Sequence, residues 1–186
     1  MFGKLLIWFQ SRKNLNPVPN CCHIIRFGRL PKDFQERGQV SAIQLSEIFN
    51  LSSEDERSIP PHLSVWVDAL TTPEQACGFL AANSSYKLVL RLKVKEVRRL
   101  VGLTSNTVEE YPDLLNVIWV HLIKEEVDGQ NTRDVRLGAS GHSGITGLDE
   151  KSMPSELTKR QKKDLRKDLR SKLAEIASKD YFLISD

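Results

Sequence analysis

The chain has 186 residues, 40% hydrophobic and 27% charged, the composition of an ordinary globular domain with enough length to bury a core without metals or disulfides. Its net charge is only +3, too small by itself to imply a polyanion partner. Three cysteines, Cys21, Cys22 and Cys77, are odd in number and partly adjacent, which excludes a disulfide framework and points to reduced thiols in the cytoplasm.

Leu5 to Phe9 is apolar but too short for a secretory or membrane segment. Asn14 to Asn20 carries two prolines and three asparagines and reads as a loop. Cys22 to Phe27 reads as a strand, stopped at Gly28-Arg-Leu-Pro31. Ser41 to Phe49 reads as a short amphipathic helix with Ile43, Leu45, Ile48 and Phe49 on its apolar side. The charged run Ser52 to Arg57, followed by Pro60-Pro61, reads as a surface loop. His62 to Val67 alternates apolar Leu63, Val65 and Val67 with His62, Ser64 and Trp66, a strand pattern. Thr72 and Pro73 open a helix predicted to run to about Ala82.

Tyr86 to Val94 has the clearest strand alternation in the chain, with Leu88, Leu90, Leu92 and Val94 on one side. Lys95 to Leu103 then reads as a short helix and Thr104 to Pro112 as a polar connection. Leu114 to Ile123 is apolar on both faces except for His121, the mark of a central strand. Asp128-Gly129 signals a hairpin turn, and Asp134 to Leu137 is the next predicted strand. Thr158 and Gln161 fit a capping box. Beyond them Leu165, Leu169, Leu173 and Ile176 form one narrow apolar stripe on an otherwise charged helix. Tyr181 to Ile184 is an apolar tail that could add an edge strand or pack on the helix.

Arg136 to Leu148 is the most unusual stretch. It holds four glycines, two serines and one histidine, His142. Glycine amides of such a turn can line an anion site, formed here by Arg136, Gly138, Ser140, Gly141, Ser143 and Gly144, with His142 to donate or move a proton. The spacing is neither a Walker loop nor a dinucleotide fingerprint. Its plain alternative is a strand–turn–strand in which glycines let two backbones meet and His142 is simply paired. The enzyme version requires the stretch to fold back on the sheet with His142 facing outward beside Ser64. His62 and Ser64 share one strand face about 6.5–7 Å apart, too far for a direct bond, and no nucleophile elbow is present. No metal-ligand cluster stands out, so neither a metal nor a cofactor is expected.

The second candidate is the basic helix. Thr158 to Glu175 holds eight basic and three acidic residues, a local charge of +5 that leaves −2 for the remainder. Lys159, Arg160, Lys163, Arg166, Lys167 and Arg170 could meet the phosphates of a nucleic acid or an acidic protein. No aromatic residue is interleaved, so base stacking is not encoded. A solvated helix face is the alternative.

Ser41 to Phe49, Leu63-Ser-Val65, Thr72-Pro-Glu74, Gly141-His-Ser-Gly-Ile-Thr-Gly147 and Arg170-x-x-Leu-Ala174 are together similar to a group of small bacterial domains of unknown function. The likeness spans roughly residues 24 to 177. It departs in the charged run Ser52 to Arg57 and at Trp66, and it implies no activity.

These readings predict a single α+β domain. A central, mostly antiparallel sheet carries helices on one face and a long basic C-terminal helix. Residues 1–20 form an N-terminal segment, 21–150 the core, and 151–186 the helix and tail packed on it. The predicted function is a non-enzymatic binding or accessory protein of a bacterial system, engaging protein or nucleic acid through the basic helix, with no membrane partner. The alternative is a small enzyme or nucleotide- or anion-binding domain that uses His142, Ser64 and His62.

Overall fold

A computed structural model describes residues 17–29, 42–73, 86–120, 125–127, 130–132 and 141–183. Six strands form one sheet in which every pairing is antiparallel: β1 (His23–Arg29), β2 (Leu63–Val67), β3 (Tyr86–Lys93), β6 (Asn116–Trp119), β9 (His142–Thr146) and β10 (Tyr181–Leu183). The order across the sheet is β10-β3-β1-β2-β9-β6. Two small hairpins stand apart from it, β4 (Gly102–Thr104) with β5 (Glu109–Tyr111), and β7 (Glu125–Val127) with β8 (Gln130–Thr132). The helices are α1 (Ala42–Ile48), α2 (Ser53–Arg57), α3 (Val94–Arg98) and α4 (Lys159–Ala177). This is the α+β architecture expected from the sequence.

Alternation decides which side of the sheet is packed. Leu63, Val65 and Val67 of β2 face the same way as Ile24 of β1 and Ile145 of β9, and all are buried. Leu88, Leu90 and Leu92 of β3 join the same core. Helices α1 and α4 close over it through Leu45, Phe49, Leu165, Leu169 and Leu173, each with no exposed surface. A fully buried leucine is stabilised by roughly 1.5–3 kcal/mol, so the α4 stripe alone accounts for much of that helix's attachment. The N-terminus of α4 is set by the predicted capping box: Thr158 Oγ1 accepts from the Gln161 amide at 3.3 Å, and the Gln161 side chain accepts from the Thr158 amide at 2.9 Å.

The sheet differs from the sequence reading in three places. Ser53–Arg57 is a turn of helix, α2, capped by Ser52 and Asp55, rather than a loop. The helix predicted to reach Leu103 stops at Arg98, and Gly102–Thr104 turns back as β4. Tertiary packing overrides propensity here, because Gly102 lies against Leu165 and Leu169 of α4 and a Cβ would overlap Leu165. The third difference is that His142 begins strand β9 instead of sitting in a turn. The predicted helix from Pro73 to Ala82 and the predicted strand Asp134 to Leu137 lie outside the described residues beyond Pro73.

One arginine ties the far edge together. Arg98 donates to Asn116 Oδ1 at 2.7 Å, to the Val117 carbonyl at 2.7 Å and to Asn20 Oδ1 at 2.6 Å. The outer side of β6 is further covered by a bridge from Pro17 to Ile118, with the Val18 amide donating to the Val117 carbonyl. A proline on that flank suits an edge, since it has no amide to offer a further strand.

Candidate functional site

Residues His62, Ser64, Trp66, His142 and Gly144 share the sheet face opposite to the leucine core. The register places Trp66 across from His142 and Ser64 across from Gly144. Directly opposed residues of an antiparallel pair point the same way. His142 is 4% exposed and His62 5%, so both imidazoles are interior. The expected outward-facing His142 is therefore not what the fold gives. Its ring stacks at a tilt on Trp66, centroids 5.4 Å apart, and lies edge-on to His62 at 6.2 Å. Phe27 meets Trp66 edge-to-face at 5.6 Å. Gly144 is needed because His62 crosses over it: a Cβ there would be 2.7 Å from His62 Cβ and overlap the ring.

His62 Nδ1 lies 2.8 Å from the Pro60 carbonyl. A carbonyl only accepts, so Nδ1 carries the proton and Nε2 is left as an acceptor. Burial lowers the His62 pKa, and the Pro60 carbonyl and Asp55 offset this only in part. The sign of the pH effect follows. As pH falls below the ordinary histidine value of about 6.5, the unfolded chain takes up a proton that folded His62 resists. Stability is present above that pH and drains away as pH falls toward the folded value. Melting curves at about pH 7.5 and 5.5 should show a fall for the native protein that His62→Gln flattens. Equal falls in both would remove His62 as the group responsible.

Ser64 is committed elsewhere. Its hydroxyl donates to Asp55 Oδ1 at 2.9 Å and its amide donates to the same oxygen at 3.1 Å. Arg26 Nη1 donates to the Ser64 carbonyl at 2.8 Å, and Arg26 Nε to the Ile48 carbonyl at 3.3 Å. The reason lies in the register. Strands β1 and β2 pair at Ile24–Val67 and Ile25–Trp66, and beyond that point Asp55 and Arg26 supply the acceptor and donor that a neighbouring backbone would have offered. Asp55 also accepts from the Ser52 amide and hydroxyl, each at 2.9 Å. Burial pushes its pKa up, but the Ser52 amide, the Arg26 charge and the Ser64 and Ser52 hydroxyls together hold it below the usual carboxylate value. A serine hydroxyl has one proton to give. With that proton on Asp55, Ser64 has no imidazole to act as its base among the described residues.

Of the six anion-cradle residues, Gly141, Ser143 and Gly144 fall among the described residues. Arg136, Gly138 and Ser140 lie outside the described residues. Ser143 lies across from Val65, on the core side, and its hydroxyl donates to the Gly141 carbonyl at 3.0 Å. Gly141 takes a positive φ of 88°. From His142 onward the chain is held between β2 and β6, so its backbone groups serve the sheet ladders. Among the described residues no cluster of three or more histidine, cysteine, aspartate or glutamate side chains is placed to hold a metal.

The basic helix is narrower than its sequence suggests. Arg166 stands 3.9 Å from Glu150, and Lys162 Nζ donates to the Glu150 carbonyl at 3.2 Å. Glu150 is positioned by a turn in which Asp149 accepts from the Lys151 and Ser152 amides at 2.9 and 3.0 Å. Lys172 pairs with Asp168 at 3.0 Å and donates to the Val101 carbonyl at 2.5 Å. Arg170 is half-buried, and burial followed by the Arg166 charge lowers its pKa, with Glu47 opposing. Of the six cations named for this surface, Arg166 and Arg170 therefore belong to the packed flank. Lys159, Arg160, Lys163 and Lys167 are exposed and have no ion pair among the described residues.

The sequence reading placed Trp66 on the face of His62 and Ser64 without giving it a role, and it missed Asp55 and Arg26, which complete the end of β2. The Ser52-x-x-Asp55 spacing was a usable signal, since it is a helix-start pattern. Comparison of the chain with family models, with curated proteins and with solved structures found no match. The likeness to small bacterial domains rests on the short motifs alone. Among the described residues no helix is long and apolar enough to cross a membrane.

Proposed function

We propose that this is a non-enzymatic binding protein that engages an anionic partner through the outer stripe of α4, Lys159, Arg160, Lys163 and Lys167. One observation carries the reading: four exposed cations occupy the N-terminal half of a helix and make no ion pair among the described residues. That placement costs stability twice. The positive end of the helix dipole disfavours the first-turn cations Lys159 and Arg160 by roughly 0.3–1 kcal/mol each. Lys159, Lys163 and Lys167 are also like charges at i,i+4 spacing, each pair costing roughly 0.2–0.5 kcal/mol. An external anion gives these charges the partner that the fold withholds. Two exposed or half-exposed free thiols, Cys21 and Cys22, suit a reducing compartment such as the cytoplasm.

The test is charge reversal. A labelled acidic polypeptide and an oligonucleotide should be titrated at low and moderate salt. Binding of at least one should weaken with salt, and Lys163→Glu/Lys167→Glu should weaken it about tenfold or more. Melting curves of the double variant are recorded alongside, so that binding lost at an unchanged melting temperature cannot be ascribed to unfolding. No binding to either probe, or binding indifferent to salt, overturns the reading. The alternative, a small enzyme or anion-binding domain built on His142, Ser64 and His62, has less behind it: the serine proton is held by Asp55 and both rings are interior.

A further inference from the structure

The hairpin of β4 and β5, closed by the Val108 amide donating to the Thr104 carbonyl at 3.0 Å, presents a side chain that packing does not account for. Thr104 pairs with Glu109, leaving Ser105 to Val108 as the loop. Val108 has a φ of +53° and is 85% exposed. That left-handed conformation suits glycine or asparagine and is an outlier for a β-branched residue. The isopropyl group gains nothing inside the molecule to offset the strain. Such an outlier on a surface argues for a role outside the fold.

Its position is fixed relative to the cationic stripe. The Leu103 amide donates to Asp168 at 2.8 Å. Asn106 Nδ2 and Ser105 Oγ donate to Asp164 at 3.0 and 3.3 Å. On the surface of α4, Asp164 is flanked by Arg160 one turn before and Lys167 one turn after. An apolar knob on a rigid hairpin thus stands beside the free cations.

We propose that the occupant of this surface is a protein, an acidic segment that lays carboxylates along Arg160, Lys163 and Lys167 and seats an apolar side chain against Val108. The proposal rests on the stripe being an anion-binding surface and adds the chemical class of its partner. Charge complementarity selects the acidic segment, and the exposed apolar side chain of Val108 selects a polypeptide with apolar side chains over a sugar-phosphate backbone.

Three labelled probes test it: an acidic peptide with leucine at every third position, the same peptide with serine in place of leucine, and a single-stranded oligonucleotide of equal charge. The native protein should bind the leucine peptide about tenfold more tightly than the serine peptide, the scale of one well-buried aliphatic contact. Val108→Asn fits the left-handed backbone, so the hairpin should keep its shape. It should abolish that tenfold preference and leave the serine peptide unchanged. If Val108→Asn binds the leucine peptide as the native protein does while Lys163→Glu/Lys167→Glu still weakens it, the Val108 anchor is overturned and the stripe survives. Tighter binding of the oligonucleotide than of either peptide overturns the choice of a protein partner. Failure of all three probes overturns the stripe together with the anchor.

Discussion

Gly147→Ala should cost the protein at least about 3 kcal/mol of stability, and more if the local strain cannot relax. Gly147 sits just after β9 with a φ of +95°, a conformation that L side chains rarely adopt. A Cβ there would lie 2.8 Å from the Leu114 carbonyl carbon and overlap its oxygen. The obstacle is main chain, not the end of a flexible side chain. Neither strand can step aside, because the neighbours Leu115 and Leu148 are both buried in the core. Gly144→Ala makes a useful comparison. It too meets a buried neighbour, the His62 side chain, but it needs no left-handed backbone and meets no carbonyl, so its loss should be smaller, about 1–3 kcal/mol. Urea unfolding with an unchanged m-value would measure both. A Gly147→Ala protein as stable as the native one would mean that the two backbones do not meet as described.

Asp55→Ala should be the most damaging change of a polar side chain, at about 3–5 kcal/mol. The carboxylate is 4% exposed and accepts from both the amide and the hydroxyl of Ser52 and of Ser64. Its loss would leave those donors without their acceptor and remove the charge facing Arg26. The effect has a pH signature. The folded pKa of Asp55 lies below its usual value, so its contribution is complete above the unfolded value of about 3.9 and is lost as pH falls through the folded one. The native protein should therefore lose stability as pH drops below about 4, and Asp55→Ala should lose less over the same range. Thermal or urea unfolding of the two proteins across that interval decides it. Equal acid sensitivity, or a variant within about 0.5 kcal/mol of native at neutral pH, would show that Asp55 is not what completes the end of β2.

What the sequence disclosed, and what it hid, follow from the range over which each signal acts. Strands β2 and β3 and helix α4 were legible because alternation, capping residues and leucine spacing are local and act within one element. The Tyr181–Leu183 edge strand was legible for the same reason. Helix α2 was not, since Ser53–Arg57 has no apolar period and four of its five residues are charged. Asp55 gains its role only when Ser64, distant in sequence, is brought to it. The β4–β5 hairpin was hidden because Gly102 is fitted against Leu165 and Leu169, residues that a local reading cannot place there. His142 was recognised as notable, but its burial depends on Trp66 and His62 arriving from another strand. The eight positive charges of the C-terminal segment were countable. Which of them stay exposed was not, because the partners of the others, Glu150, Asp168 and the Val101 carbonyl among them, are chosen by geometry.

The placement of β9 beside β6 has a consequence for how this chain can be lengthened. Trp119 lies across from Ser143, so the chain leaves the sheet and re-enters it at neighbouring positions. Whatever intervenes, including the small β7–β8 hairpin, is topologically a detour between two adjoining rungs. Doubling the length of a connecting loop costs only about 0.6 kcal/mol of closure entropy. The six-stranded scaffold is thereby insulated from insertions at that point, and new recognition elements can accumulate there over generations without disturbing the register that holds the rest.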